Sequence, residues 1–238
     1  MPTYRIADLL IDCPSLSPET AVFMQNYRVQ DNLPADFTVS VTPEDMAREK
    51  KDAPAVTNPY VLERTAVYRK ICEQALMYKA FFLHAAVIEY KGNGYAFLAP
   101  SGTGKSTHIA LWQRVFGNSV HIVNGDKPIV RDTDSGFIAY GTPFCGKEGW
   151  NENRAVPLRA LVFLSRGTDN RMTHIPPDKA LSLLFRQIFL PASPKQSASL
   201  LTWADRLLRT VPAYTLSCTP TEEAARLAER ILKGNSAV

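Results

Sequence analysis

The chain is poor in the features that announce whole classes of protein. Its four cysteines, Cys13, Cys72, Cys145 and Cys218, are far apart, and no Cys-x-x-Cys pair occurs. Neither a zinc site nor a disulfide framework is indicated, and reduced thiols in a cytoplasmic protein are the simplest reading. No apolar stretch reaches the roughly 18 residues of a spanning helix. The opening residues, "MPTYRIADLLIDCPS", lack the basic start and long apolar region of a secretory signal. An excess of one charge is also missing: the net charge is +4 over 238 residues, and the basic residues are scattered. That balance suits an anionic ligand but forms no basic stripe, so neither nucleic acid nor a membrane is expected as a partner. "REKKD" (Arg48–Asp52) is short and mixed in sign, as on a solvated helix face. Repeats and low-complexity tracts are absent. Apolar residues, by contrast, are plentiful: 45% of the chain is hydrophobic against 21% charged, enough for a substantial core.

Periodicity divides the chain into alternating element types. "TYRIADLLIDC" and "DFTVSVT" read as strands and "PEDMAREKKDA" as a short helix. "NPYVLERTAVYRKICEQALMYK" is a helix opened by Asn58. "FFLHAAVIEY" and "YAFLA" are strands around a "KGNG" turn, followed by the helix "KSTHIALWQRVF". "SVHIVNGD", "KPIVRD" and "SGFIAYGTPF" are further strands, and "LRALVFLSRG" and "RMTHIPP" are expected to pair with each other. "DKALSLLFRQIFL" and "SASLLTWADRLLRTVP" are amphipathic helices, "AYTLSC" is a strand, and "TPTEEAARLAERILKG" closes the chain as a helix. The sum is a mixed α/β domain, without the regular β-α-β-α rhythm of a doubly wound fold. Residues 1–57 form an extension, either a small appendage or a supplier of edge strands to the same sheet; residues 58–238 form the core.

Ala99-Pro100-Ser101-Gly102-Thr103-Gly104-Lys105-Ser106 follows the Gly-x-x-x-x-Gly-Lys-Ser/Thr pattern except at its first position. Gly102 and Gly104 allow successive backbone N–H groups to turn inward around an anion. The helix starting near Lys105 adds its positive dipole end. Lys105 supplies a point charge for terminal phosphates, and the Ser106 hydroxyl suits Mg²⁺. Ser101, Thr103 and Thr107 complete the candidate nucleotide contacts. Ala99 is small enough to replace Gly provided its backbone does not need positive φ.

Phosphoryl transfer also needs a carboxylate to hold the metal or orient the nucleophile. Asp126, one helix and one strand after Lys105, is the candidate for both roles, against the alternative of a turn-forming Asp in "NGD". His84 is either a core histidine or an active-site group. The polar loop "GTPFCGKEGWNEN" is either a binding loop or a connector, and Lys147 is its best candidate for stabilising charge on a transferring phosphoryl group. Arg186 is weighed in the same way against a surface ion pair. Cys145, His108, His121 and His174 receive no role.

These stretches resemble a known family. "HAAVIEYKGNGYAFLAPSGTGKST" is similar to the part of HPr kinase/phosphorylase that runs from a His-Gly through strand–turn–strand into its phosphate loop, with the same His-to-Lys offset. "IVNGDKPIV" resembles that family's strand ending in two Asp residues: Asp126 aligns with the second, the proposed base, and Gly125 stands at the first. "SGTGKST" also resembles phosphoenolpyruvate carboxykinase, which shares this fold. "GTPFCGKEG" and "VPAYTLSCTPTEEAARL" look like the smaller HPr-kinase-related proteins of bacterial biosynthetic clusters. The resemblance covers Phe81–Val130 and, more loosely, Gly141–Leu227. It implies a mixed, largely antiparallel sheet with a phosphate loop and flanking helices. It implies ATP and Mg²⁺, transfer of the γ-phosphate to a serine hydroxyl of a peptide or protein, and His84 assisting Asp126. The family's Arg-Gly-rich motif is missing, so HPr itself is not the implied acceptor. Two other readings stay open: a nucleotide-binding module that recruits a peptide without catalysis, and a kinase of a free small molecule such as an amino acid. Members of the family are often oligomers, which leaves homo-oligomerisation open.

Overall fold

The computed structural model describes residues 2–30, 33–191 and 193–234. Two short strands, β1 (Thr3–Ile6) and β2 (Leu9–Asp12), reverse through Ala7 and Asp8, both at positive φ. Helix α1 (Pro18–Phe23) and the two-residue strands β3 (Arg28–Val29) and β4 (Phe37–Thr38) follow. The four strands make a sheet of their own, in the order β3-β1-β2-β4. Helix α2 (Pro43–Asp52) starts on a Thr42–Asp45 capping box. In α3 (Pro59–Ala75) the Asn58 side chain accepts from the Tyr60 N–H, as its place in the sequence suggested.

Among the described residues the main sheet has nine strands. Its first three are β5 (Ala80–Phe82), β6 (Ala85–Tyr90) and β7 (Asn93–Leu98). Lys91 and Gly92, both at positive φ, form the two-residue turn between β6 and β7. Helix α4 (Lys105–Phe116) leads to β8 (Val120–Asn124), β9 (Ile129–Thr133), β10 (Gly136–Tyr140) and the long β11 (Ala155–Arg166). Then come β12 (Arg171–Ile175), α5 (Pro177–Phe185), α6 (Pro194–Thr210), β13 (Ala213–Cys218) and α7 (Glu222–Gly234). The strand order is β5-β9-β10-β11-β7-β6-β8, with β13 against β11 and β12 beyond it. Among the described residues only the β11–β7 and β11–β13 pairings of this sheet are parallel. The fold is therefore mixed α/β with a largely antiparallel sheet and flanking helices, as expected.

Three details differ from the sequence reading. "FFLHAAVIEY" is two strands: the chain leaves β9 after Phe82, bends at His84 and joins β7 and β8 from Ala85. "RMTHIPP" does not pair with "LRALVFLSRG"; β13 lies between them, parallel to β11 and antiparallel to β12. The chain crosses back through α5 and α6 before β13 enters, which local pattern cannot reveal. Helix α5 stops at Phe185, so Gln187 and Ile188 return to the sheet, where Ile188 bridges Leu83.

Alternation along the strands fills both faces of the sheet. Ala85 and Val87 of β6, with Ala96 and Leu98 of β7, pack on the face covered by Leu184 of α5 and Leu200, Ala204 and Leu207 of α6. Ala86, Ile88, Tyr95 and Phe97 face the other way, onto Ile109 and Trp112 of α4 and Ala225 and Ala228 of α7. A third cluster joins the small sheet to the large one: Tyr4, Ile6 and Ile11 pack with Val67 and Ile71 of α3 and with Phe82, Ile129 and Tyr140. Among the described residues no helix is long and apolar enough to cross a membrane.

Candidate active site

Strand β7 ends in the glycine loop, which ends in α4. Gly102 (φ +77°) and Gly104 (φ +122°) occupy backbone conformations that disfavour any side chain. Ala99 is not among the residues at positive φ, which explains why an L-residue replaces Gly there. Its carbonyl accepts a hydrogen bond from Lys105 Nζ at 2.8 Å.

A cavity of about 450 Å³ lies over this loop. Ser101, Gly102, Gly104, Lys105, Ser106 and Thr107 line one side, and Asp126, Lys147 and Glu148 another. The structure thus brings together most of the candidate residues. Thr103 instead lines a second cavity, of about 430 Å³, on whose wall Leu111, Leu164, Cys218 and Pro220 supply apolar surface. Arg166, from the end of β11, borders that second cavity and donates to the Gly102 carbonyl at 2.6 Å.

His84 joins the two charged groups. Its Nε2 is 3.0 Å from Lys105 Nζ and 3.2 Å from Asp126 Oδ1. Its Nδ1 is 3.0 Å from Gln187 Oε1, and its backbone N–H donates to the Gln187 carbonyl at 2.7 Å. With the Gln187 oxygen as acceptor, Nδ1 carries a proton, and Nε2 faces both charged groups: it accepts from the Lys105 ammonium when bare and donates to Asp126 when it bears a proton. Lys127 also forms an ion pair with Asp126. Burial raises the Asp126 carboxyl, but hydrogen bonds from His84 and Lys127 and the Lys127 charge outweigh it and hold the group well below the ordinary range. For Lys105, burial lowers the ammonium and Lys127 adds to this, while Asp126 opposes it. A cation so desolvated gains from an incoming anion.

Asn124, fully buried, holds the two loops in place. Its Oδ1 accepts from the Asp126 and Lys127 N–H groups at 2.9 and 2.7 Å, and its Nδ2 donates to the carbonyls of Thr142 and Phe144 at 3.0 and 3.1 Å. The "NGD" turn is therefore real and also aims Asp126 into the cavity. Gly125 donates to the Trp150 carbonyl at 2.9 Å, and a Cβ added at Gly125 would stand 3.4 Å from that of Trp150. Trp150 covers the direction in which a side chain at 125 would leave the backbone.

Sequence reasoning missed Asn124, Lys127, Arg166 and Gln187. Only Asn124 carried a readable signal, an Asn two residues before the acid. Arg186, weighed as a candidate, is exposed, and its side chain has no hydrogen bond or ion pair among the described residues. Gln187, its neighbour, is the residue that reaches His84. Replacing Gln187 with Leu is expected to cost about 1 kcal/mol, since a half-buried N–H loses its partner. Nitrogen NMR of the His84 ring should then show the Nδ1–H tautomer losing its dominance, with the Leu83–Ile188 bridge intact. An unchanged ring spectrum would remove Gln187 from this role.

These features define an α/β protein with a strand–glycine loop–helix unit and a Lys–His–Asp cluster over it. The chain belongs to the SynChlorMet cassette protein ScmC family, whose profile matches residues 55–233. No curated protein matches it. Among solved structures it is similar to the Hpr(Ser) kinase/phosphatase from Coxiella burnetii, at 12% identity and a TM-score of 0.34, over 65% of this chain and 95% of that one.

Proposed function

We propose that this protein is an ATP- and Mg²⁺-dependent kinase that transfers the γ-phosphate to a hydroxyl, on a serine of a peptide or protein. The observation that carries the reading is the convergence of the glycine loop, Lys105, Ser106, Asp126 and Lys147 on one cavity. The loop amides and Lys105 bind the phosphates, and the base lies towards the apolar wall of the second cavity. Ser106 and Asp126 offer the hard oxygen donors that Mg²⁺ takes, one carboxylate together with substrate phosphates being a sufficient set. Among the described residues no group of three His, Cys, Asp or Glu side chains stands ready to hold a metal, so it is shared with the nucleotide. When bound, the ion neutralises charge on the β- and γ-phosphates.

In transfer, an Oγ–P bond forms as the bond from γ-phosphorus to the bridging oxygen breaks, and that oxygen keeps the electron pair. The hydroxyl proton passes to Asp126, with His84 Nε2 beside it as relay. A carboxylate held low in pKa is a weak base, but the loose transition state asks chiefly for orientation of the hydroxyl. Lys105 and Lys147 stabilise charge on the transferring group.

The test uses ATP labelled at the γ-position and a library of serine-containing peptides. Label is expected to appear on peptide, dependent on Lys105 and Mg²⁺. Tight nucleotide binding with no label on any acceptor would favour the second reading, a recruitment module without catalysis. Gly125, which leaves Asp126 without the adjacent acid, is the feature favouring that alternative. Label on a free amino acid and on no peptide would favour a small-molecule kinase.

A further inference from the structure

A third cavity, of about 330 Å³, borders the candidate site on the side of the small sheet. Residues 125–126 and 146–148 line the cavity over the glycine loop, whereas Lys127, Phe144 and Cys145 line this one. The same two segments thus separate the two spaces. Its other walls come from outside the nucleotide-binding unit: Phe23 ends α1, and Val61, Thr65 and Tyr68 lie on α3. The apolar part is built from rings. Tyr68 packs edge-on to Phe144 at 5.3 Å and to Phe82 at 4.5 Å, and Phe23 is 6.0 Å from Phe144. Val61, at the rim, is 41% exposed although it is apolar.

The charge around this cavity has one sign. Arg64 and Lys127 line it, and no carboxylate among the described residues does. The Arg64 guanidinium stacks 4.3 Å over the Phe23 ring, and Nη2 donates to the Glu19 carbonyl. Its Nε is buried without a hydrogen-bond partner, and the residue lines the cavity wall. The Lys127 ammonium lies 5.9 Å from the Tyr68 ring while its other contact is Asp126.

We propose that this cavity is the docking pocket of the phosphoryl acceptor. It takes an aromatic or large aliphatic side chain of a peptide or protein that carries an acidic residue beside it, and so places a nearby serine hydroxyl at Asp126. The apolar walls accept the side chain, and Arg64 reads the carboxylate. The exposed rim at Val61 and Thr65 leaves room for the chain on either side of the docked residue, as a peptide requires and a free amino acid does not. This proposal rests on the kinase reading for the identity of its ligand, but its binding test does not.

Serine-centred peptides with Phe, Leu, Ala or Lys at one flanking position and Asp or Lys at the next are the probes. Binding is read by fluorescence anisotropy, and transfer by labelled ATP. Peptides that combine Phe or Leu with Asp are expected to bind best. Val61→Trp, at an exposed helix position, fills the pocket and should weaken that binding roughly tenfold or more, with ATP affinity unchanged. Arg64→Met should erase the preference for Asp over Lys. Equal affinity for all peptides, or a Val61→Trp variant that binds the preferred peptide as before, overturns the pocket. Label transfer in that case leaves the kinase reading standing. Selective, Val61-sensitive binding with no transfer supports the pocket and refutes the kinase.

Discussion

Asp126→Asn is expected to reduce label transfer by about 10²–10⁴-fold, the range seen for positioned acid–base groups, and to leave affinity for metal-free nucleotide nearly unchanged. Asn keeps the size of the side chain and its place in the Asn124-anchored turn, whose contacts are to backbone N–H groups. What goes is the negative charge that His84 and Lys127 both face. Single-turnover kinetics with saturating ATP separates the transfer step from binding. Unchanged turnover would exclude Asp126 from the chemistry. The same substitution has a signature in stability. Because the folded-state pKa of Asp126 is depressed, its charge stabilises the fold above the ordinary carboxylate pKa of about 3.9, and that contribution is lost as pH falls through the folded value. The stability gap between the two proteins, measured by urea unfolding, should be full near neutrality and shrink in acid. A gap that widens in acid would contradict the assigned ion pair.

Trp112→Ala is expected to cost about 3–5 kcal/mol, the range for emptying a large buried aromatic site. Trp112 is 0% exposed, and its ring lies within 6.0 Å of those of Tyr90, Tyr95, Phe97 and Phe116. Its indole N–H donates to His108 Nε2 at 3.1 Å. His108 is almost wholly buried, and burial pushes its pKa down to about 4, so on losing Trp112 it cannot recover by taking a proton at neutral pH. Urea unfolding followed by circular dichroism measures the loss. Trp112→Phe, which keeps most of the packing and removes the N–H, should fall between the two. A loss below about 1 kcal/mol for the Ala variant would mean that the site collapses around the gap. Nucleotide affinity of the folded fraction should fall little, because Lys105 starts the helix two turns from Trp112.

Local signals revealed the glycine loop, the turn at Asp126 and most of the helices and strands. Gly102 and Gly104 mark backbone conformations that residue type alone specifies, and Asn58 marks a helix start. His84 is a different case. Its run of apolar neighbours reads as one strand, and the bend arises because Leu83 and His84 bond to Ile188 and Gln187, far along the chain. Position 187 reads as one more turn of an amphipathic helix until the tertiary contact ends that helix. The pairing of β12 was unreadable for the same reason, since the strand inserted beside it is separated from it by two helices. In the four-stranded sheet, β1, β2 and β4 fall within the stretches "TYRIADLLIDC" and "DFTVSVT" that read as strands, whereas β3, two residues long, is too short for a period-2 signal.

The central place of β11 has a consequence for the order in which the molecule can assemble. The strand that feeds the glycine loop, β7, meets β6 at once through a two-residue turn, but its other neighbour is β11, and β11 in turn waits for β13. His84 waits for Gln187, 103 residues later in the chain. Such distant pairings carry a large loop-closure cost before they are rewarded, and they slow folding. On the ribosome the loop and its lysine therefore emerge well before the sheet that fixes them. The final setting of the loop comes late, with the return of the chain from α5 and α6.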